Sequence, residues 1–277
     1  MNNGSLAMAD DAAKVRRMAD PRVAIITRTQ NRPITLNRAL EGILRQTFTD
    51  WELVLVSDAG NLAAIREVVA RHGEALGDRL RLIHRERSEG MQAASNHGIA
   101  ESRSRYIAIH DDDDSWHPDF LARTVAYLDA AAPHQRGVVV GAELVYERFK
   151  NDRFIEIRRR RMSVPAESLV PSALRRYNRF PPIAFLYERA AGEMLGQYRT
   201  DLPVLGDWDF NLRFAERFGI GIIDEPLAYW HHRPKSWALP GLYANSSYLL
   251  HLGDQMRLQR EWGQIPDLWR YLMLWRY

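Results

Sequence analysis

Four short apolar runs, each followed by a stretch with helical spacing, do most to limit what this chain can fold into. The runs are Val23–Ile26, Trp51–Val56, Leu80–Ile83 and Ile107–Ile109. Behind the first, Leu36, Ala39, Leu40, Ile43 and Leu44 mark one face of a helix. Ile65, Val68 and Val69 do so behind the second, residues 90–100 make a helix behind the third, and Leu121, Val125 and Leu128 recur behind the fourth. Apolar runs without alternation fit strands buried on both faces. Strand and helix alternating four times is the pattern of a parallel sheet covered by helices, an α/β fold. With 277 residues, 46% of them hydrophobic, the chain can bury a full core as one large or two small domains.

The fourth run stops at four consecutive aspartates, Asp111 to Asp114, followed by Ser115, Trp116, His117 and Pro118. Pro118 suits the first turn of the next helix, where its missing N–H costs nothing. The aspartates therefore stand at the carboxyl end of a core strand, where open α/β sheets place ligands. Adjacent carboxylates repel one another unless a cation neutralises them, so a metal site is favoured over a solvated acidic turn.

After Pro133 the rhythm changes. Val138–Tyr146 and Arg153–Ile157 read as strands around an Asn151-Asp152 turn, and Arg158 to Arg161 form a basic run. That run reads as a solvated face, or as a seat for a phosphorylated ligand or an anionic membrane. Pro181–Tyr187 reads as a further strand. In Leu205-Gly-Asp-Trp-Asp-Phe210, Asp207 stands where a helix N-cap is expected, and Phe210, Phe214 and Phe218 continue as one apolar stripe. Asp209 in the first turn complements the helix dipole. Whether Asp207 is a cap or a catalytic carboxylate is open from the local sequence. Residues 219–223 and 227–230 read as two short strands before His231 and His232, which point to opposite faces of a strand. The tail is helical and aromatic, with Trp262, Trp269, Tyr271, Trp275 and Tyr277, which suggests docking onto the body, a partner or a membrane surface.

Several classes are disfavoured. A formal charge of +3 is too small to signal nucleic-acid binding, and none is expected. There are no cysteines, hence no disulfide or thiolate chemistry. No apolar run spans a bilayer, so the chain reads as cytoplasmic, soluble or peripheral at the inner face of the membrane. Neither a dinucleotide fingerprint nor a P-loop follows the first strand.

Val23 to Asn31-Arg-Pro33, Gln46-Thr-Phe48, Trp51 to Asp58 and the Ile109 to Pro118 block together resemble the family 2 glycosyltransferases of GT-A fold. Gly206-Asp207-Trp-Asp-Phe-Asn-Leu-Arg213 is similar to that family's acceptor-side motif. The resemblance covers roughly residues 21–234. It implies a Rossmann-like, mostly parallel sheet flanked by helices, with a smaller acceptor-side region and C-terminal helices. Residues 1–20 would be a disordered leader, 21–132 the nucleotide-sugar half, 133–238 the acceptor half and 239–277 a helical extension. The sequence departs from the pattern at Ser57 for Asp, Gly206 for Glu and Ser95 for Arg. With Ser95 there, Arg85, Arg87 and the four-arginine run become candidate phosphate contacts.

The resemblance also implies roles. Asp113 is the ligand of Mn2+ or Mg2+, with His232 a weaker candidate. Asp111 and Asp112 meet ribose or sugar hydroxyls or metal-bound water. Asp58 accepts from the base, Arg28, Thr29 and Gln30 contact base and ribose, and Arg32 and Asn96 belong to the same donor site. Asp207 is the general base, with Asp209 the runner-up. The implied reaction is inverting transfer of one sugar from a nucleotide-diphosphate sugar to a glycan or lipid-linked glycan acceptor, in bacterial polysaccharide or glycan synthesis. The processive Q-x-x-R-W motif is absent, which favours single-sugar transfer. Two rivals stand beside this: a sugar nucleotidyltransferase, disfavoured because residues 27–33 hold no glycine, and a non-catalytic nucleotide-sugar-binding module.

Overall fold

The structure is a computed structural model that describes residues 20–151, 153–233 and 248–264. Strands β1 (Val23–Thr29), β2 (Trp51–Asp58), β3 (Leu80–Arg85) and β4 (Tyr106–Asp111) pair in parallel. Helices α1 (Pro33–Leu44), α2 (Leu62–Arg71) and α3 (Met91–Ala100) connect them, and α4 (Phe120–Ala130) follows the aspartates. The four apolar runs are thus the four strands, and Val23, Ala24, Ile25 and Ile26 are fully buried. Gly98 in α3 lets the helix lie close to the sheet, since a Cβ there would stand 2.7 Å from Ile26 Cγ2.

The second half adds β5 (Ser115–Trp116), β6 (Gln135–Lys150), β7 (Arg153–Met162), β8 (Phe185–Glu188) and β9 (Gly219–His232). Among the described residues one sheet runs β3-β2-β1-β4-β8-β6-β9-β5, with β7 paired to β6. Strand β8 is antiparallel to β4 and β6, whereas β9 returns parallel to β6. The expected hairpin is β6–β7, and Arg158 to Arg161 lie within β7 as exposed strand residues.

Several local expectations need correction. Pro118 precedes α4 rather than entering it; Asp119 occupies the N-cap position, and the Pro118 carbonyl accepts Thr47 N–H at 2.9 Å. Residues 182–184 form a 3-10 turn, because Pro181 and Pro182 supply no ladder donors, and the strand begins only at Phe185. The two short strands at 219–223 and 227–230 are one strand, which absorbs Pro226 through register shifts against Val140 and Gly141.

Helix α5 (Arg189–Met194) follows β8, and α6 (Gly206–Arg217) carries the Phe210 and Phe214 stripe; Phe218 sits one residue beyond its end. Helix α7 (Tyr248–Glu261) docks on the body, with Leu258 fully buried beside Leu202 and Trp208. Trp262 meets the Trp208 ring edge-on at 5.2 Å. Trp269, Tyr271, Trp275 and Tyr277 lie outside the described residues, as do residues 1–19. No helix among the described residues is long and apolar enough to cross a membrane.

Candidate functional site

Strand register builds the site at the carboxyl ends of β1, β2 and β4. Arg28 is the register partner of Asp111, so their side chains leave the sheet together and pair at 2.7 Å. Asp58 and Arg85 are partners in the same way and meet at 3.2 Å. Asp58 also accepts from Ser88 Oγ at 2.6 Å and is buried. Arg28 further donates to Ser95 Oγ at 2.5 Å. Thr29 is buried and Gln30 is exposed on the rim. The next residue, Asn31, accepts from Asn61 N–H at 2.8 Å and ties the first loop to the second.

The aspartate loop is braced from below. Trp116 donates to the Ile183 carbonyl at 2.7 Å, stacks on Phe120 and receives His110 edge-on. Gln46 accepts from Leu121 N–H at 3.0 Å and donates to the His117 carbonyl at 2.9 Å, capping α4 from another loop. This is what the Gln46-Thr-Phe48 turn does physically.

The four carboxylates diverge. Asp111 is partly exposed toward Arg28. Asp112 is fully buried against Arg32 at 2.7 Å, and burial pushes its carboxyl up to about 7, Arg32 opposing. Asp114 accepts His231 N–H at 2.8 Å; burial raises it well above the usual range, and repulsion from Asp113 and Asp111 adds to this. Asp113 is held by Arg32 at 3.1 Å and by the fully buried Arg233, both on Oδ2. Burial works against its ionisation, but Arg32, Arg233 and Arg38 outweigh it and hold the carboxyl at about 2.

Behind this pair stands Glu147, which the sequence reading did not single out. It pairs with Arg38 at 2.9 Å, Arg233 at 2.5 Å and His231 at 3.0 Å, and is 3% exposed. His231 also meets Ser115 Oγ at 2.9 Å, so it braces the aspartate loop. His232 takes another course, packing on Trp230 and Tyr146, with its buried Nε2 lacking a hydrogen-bond partner. Burial lowers His232 to about 4, Asp113 opposing, so its imidazole is neutral and free to act as a ligand.

The donor types suit a hard divalent cation, carboxylate oxygens of Asp111 and Asp113 with one imidazole nearby. Among the described residues, however, no three His, Cys, Asp or Glu groups converge, and guanidinium groups hold the positive charge beside Asp113.

The remaining part of the site is at the start of α6. Leu205, its N-cap residue, is left-handed at φ 57°, a strained conformation held by packing onto the Leu202, Trp208 and Leu258 cluster. Asp207 therefore lies inside the first turn and is not the N-cap, contrary to expectation; its Oδ2 accepts from Asn178 Nδ2 at 2.6 Å. Burial raises its pKa, with Asn178 and Arg28 opposing. It lines a small cavity together with Arg28, Met91, Gln92, Ile109, Pro182 and Tyr198. Asp209 is turned elsewhere, paired with Arg213 at 2.7 Å and Arg199 at 3.5 Å. Asn96 spends both ends of its amide on the Tyr198 main chain, at 2.8 and 3.0 Å, and so positions Tyr198. Neither Asn178 nor Gln92 carried a signal in the sequence: Asn178 lies in a stretch with no motif, and Gln92 stands three positions before Ser95 without belonging to the motif there.

Residues 23–192 match the family described as Glycosyl transferase family 2. The chain belongs to that family. Among its relatives, this family 2 glycosyltransferase is 32% identical over 197 residues to a PGL/p-HBAD biosynthesis glycosyltransferase of Mycobacterium bovis, covering 71% of this chain and 70% of the other. Staphylococcus aureus TarS 1–349, solved in complex with UDP-GlcNAc, superposes with a TM-score of 0.63 at 18% identity, covering 86% of this chain and 65% of that one. The mannosyltransferase PcManGT from Pyrobaculum calidifontis, in complex with GDP-Man and Mn2+, gives 0.62 at 18% identity, covering 92% and 68%. At such identities the structural likeness bears on the fold, which is of GT-A type as expected. Membership of the glycosyltransferase family sets the nucleotidyltransferase alternative aside.

Proposed function

We propose that this glycosyltransferase moves one sugar, with inversion, from a nucleotide-diphosphate sugar to an acceptor hydroxyl of a glycan or lipid-linked glycan. The observation that carries the proposal is that Asp207 shares one cavity with Arg28, which is itself paired to Asp111 at the end of β4. The nucleotide belongs over the ends of β1 and β2, near Asp58 and the Arg28-Thr29-Gln30 stretch. Arg32, paired to the buried Asp112, follows that stretch in the first loop. In this reading residues 21–132 serve the donor and 133–238 the acceptor.

The chemistry follows from what these groups hold. The acceptor hydroxyl gives its proton to Asp207 as its oxygen attacks the anomeric carbon, and the bond to the diphosphate breaks with its electron pair leaving on phosphate oxygen. A raised pKa suits Asp207 to this, because a more basic carboxylate takes the proton more readily. Without an enzyme nucleophile the displacement is single, hence inverting. Asp113, with His232 in reserve, would hold Mn2+ or Mg2+, which would supply positive charge to the departing diphosphate, while Asp111 and Asp112 meet ribose or sugar hydroxyls or metal-bound water. Binding of that ion requires Arg32 and Arg233 to yield Asp113 Oδ2, and Asp112 and Glu147 are ready partners for the released guanidinium groups.

A thermal-shift screen of UDP, GDP and their sugar conjugates, with Mn2+, Mg2+ or a chelator, tests the reading, because a ligand stabilises by mass action. Stabilisation by one nucleotide class that requires a divalent ion is expected. Equal response in chelator would remove the metal from the proposal, and no response to any nucleotide would remove the donor class.

A further inference from the structure

Gln92, in the first turn of α3, is 4% exposed, and its Oε1 has no hydrogen-bond partner. A buried amide oxygen left unpaired is costly unless something brought into the site satisfies it. The carboxamide lies against Gly206, the residue before Asp207. A Cβ added at Gly206 would stand 2.5 Å from both Cγ and Nε2 of Gln92. A side chain at 206 would therefore displace the amide, which occupies that room. Gln92, Asp207, Arg28 and Tyr198 border the same cavity.

We infer that Gln92 is a specificity-determining residue whose carboxamide reads a hydroxyl of the transferred sugar. An uncharged carboxamide without a hydrogen-bond partner, on the same cavity as the Asp207 carboxylate, suits the O–H groups of a neutral polyol better than a phosphate. Arg28, the cation at this wall, is committed to Asp111 and Ser95. The nucleobase end belongs at Asp58, on the far side of β1 from β4. Between them, the part of a nucleotide sugar that reaches the cavity beside the general base is the sugar ring. This rests on the donor reading given above. It adds that discrimination among sugars is set from α3, with Gly206 keeping the amide in place.

Two substitutions disturb the amide independently. Gln92→Met keeps length and volume and removes the acceptor. Gly206→Ala adds only a methyl group, which forces the amide aside. Calorimetric affinities for UDP, UDP-GlcNAc, UDP-glucose, GDP and GDP-mannose in Mn2+ are compared with wild type. A hydrogen bond to a ligand hydroxyl inside a closed site contributes strongly to discrimination. The expected result is that the ratio of nucleotide-sugar to nucleotide-diphosphate affinity falls roughly tenfold in both variants for the sugar that wild type prefers. Affinity for the diphosphate alone is unchanged, and the thermal midpoint of Gln92→Met does not fall, because the residue leaves no internal bond behind. An unchanged ratio in Gln92→Met overturns the inference and leaves the donor reading standing. Loss of diphosphate affinity overturns it too, by giving Gln92 to the nucleotide. If wild type binds none of the five compounds, the donor reading fails and this inference fails with it.

Discussion

Asn178 Nδ2 donates to Asp207 Oδ2 over 2.6 Å, joining an irregular segment before β8 to the first turn of α6. The bond favours the ionised carboxylate, while burial raises its pKa and prevails. A base must be ionised to work, so the acid limb of the rate profile lies above the ordinary aspartate value of about 3.9. Asn178→Ala removes the opposing donor and should move that limb to still higher pH. A pH-rate profile of nucleotide-sugar turnover checks this; an unmoved or lowered limb contradicts it.

Glu147 predicts a stability effect. It is the shared partner of Arg38, Arg233 and His231, and Arg233 is fully buried. Breaking a buried pair by neutralising one member leaves uncompensated charge and typically costs about 3–5 kcal/mol. Glu147→Gln should therefore lower the urea midpoint, with the unfolding free energy falling by an amount in that range. A midpoint equal to wild type would mean that the arginines find water instead.

Asp113 predicts a binding effect. A neutral amide is a poor ligand for a hard cation. Asp113→Asn should abolish Mn2+- or Mg2+-dependent tightening of nucleotide diphosphate binding, read by calorimetry with and without chelator. Retention of the metal-dependent increment would contradict the ligand role of Asp113.

Legibility in the sequence divides along physical lines. The first four strands were readable because parallel strands covered on both faces must be apolar throughout, and the intervening helices because their buried positions recur at a fixed spacing. Asp113 and Asp207 were readable as a motif at a strand end and a motif at a helix start. What stayed hidden depends on partners far away in the chain. Arg233 reaches Asp113 across 120 positions, and Glu147 joins it only after the register irregularity at Tyr146. Strand β9 is longer than its sequence predicts because Pro226 looks like a strand end, yet a register shift carries the strand through it. Leu205 gave no warning of a left-handed backbone, and that conformation is what moves Asp207 from the cap position into the turn.

The assignment of the general base is tested most directly by comparing Asp207→Asn with Asp209→Asn in two assays, donor binding and sugar-transfer turnover. The amide at 207 preserves shape and leaves the cavity intact, so donor affinity should stay near wild type while turnover falls roughly a hundredfold or more. Asp209→Asn loosens the pairs with Arg213 and Arg199 and should lower thermal stability, with a turnover change far smaller than at 207. Unchanged turnover in Asp207→Asn together with collapse in Asp209→Asn would contradict the account and give the base to Asp209.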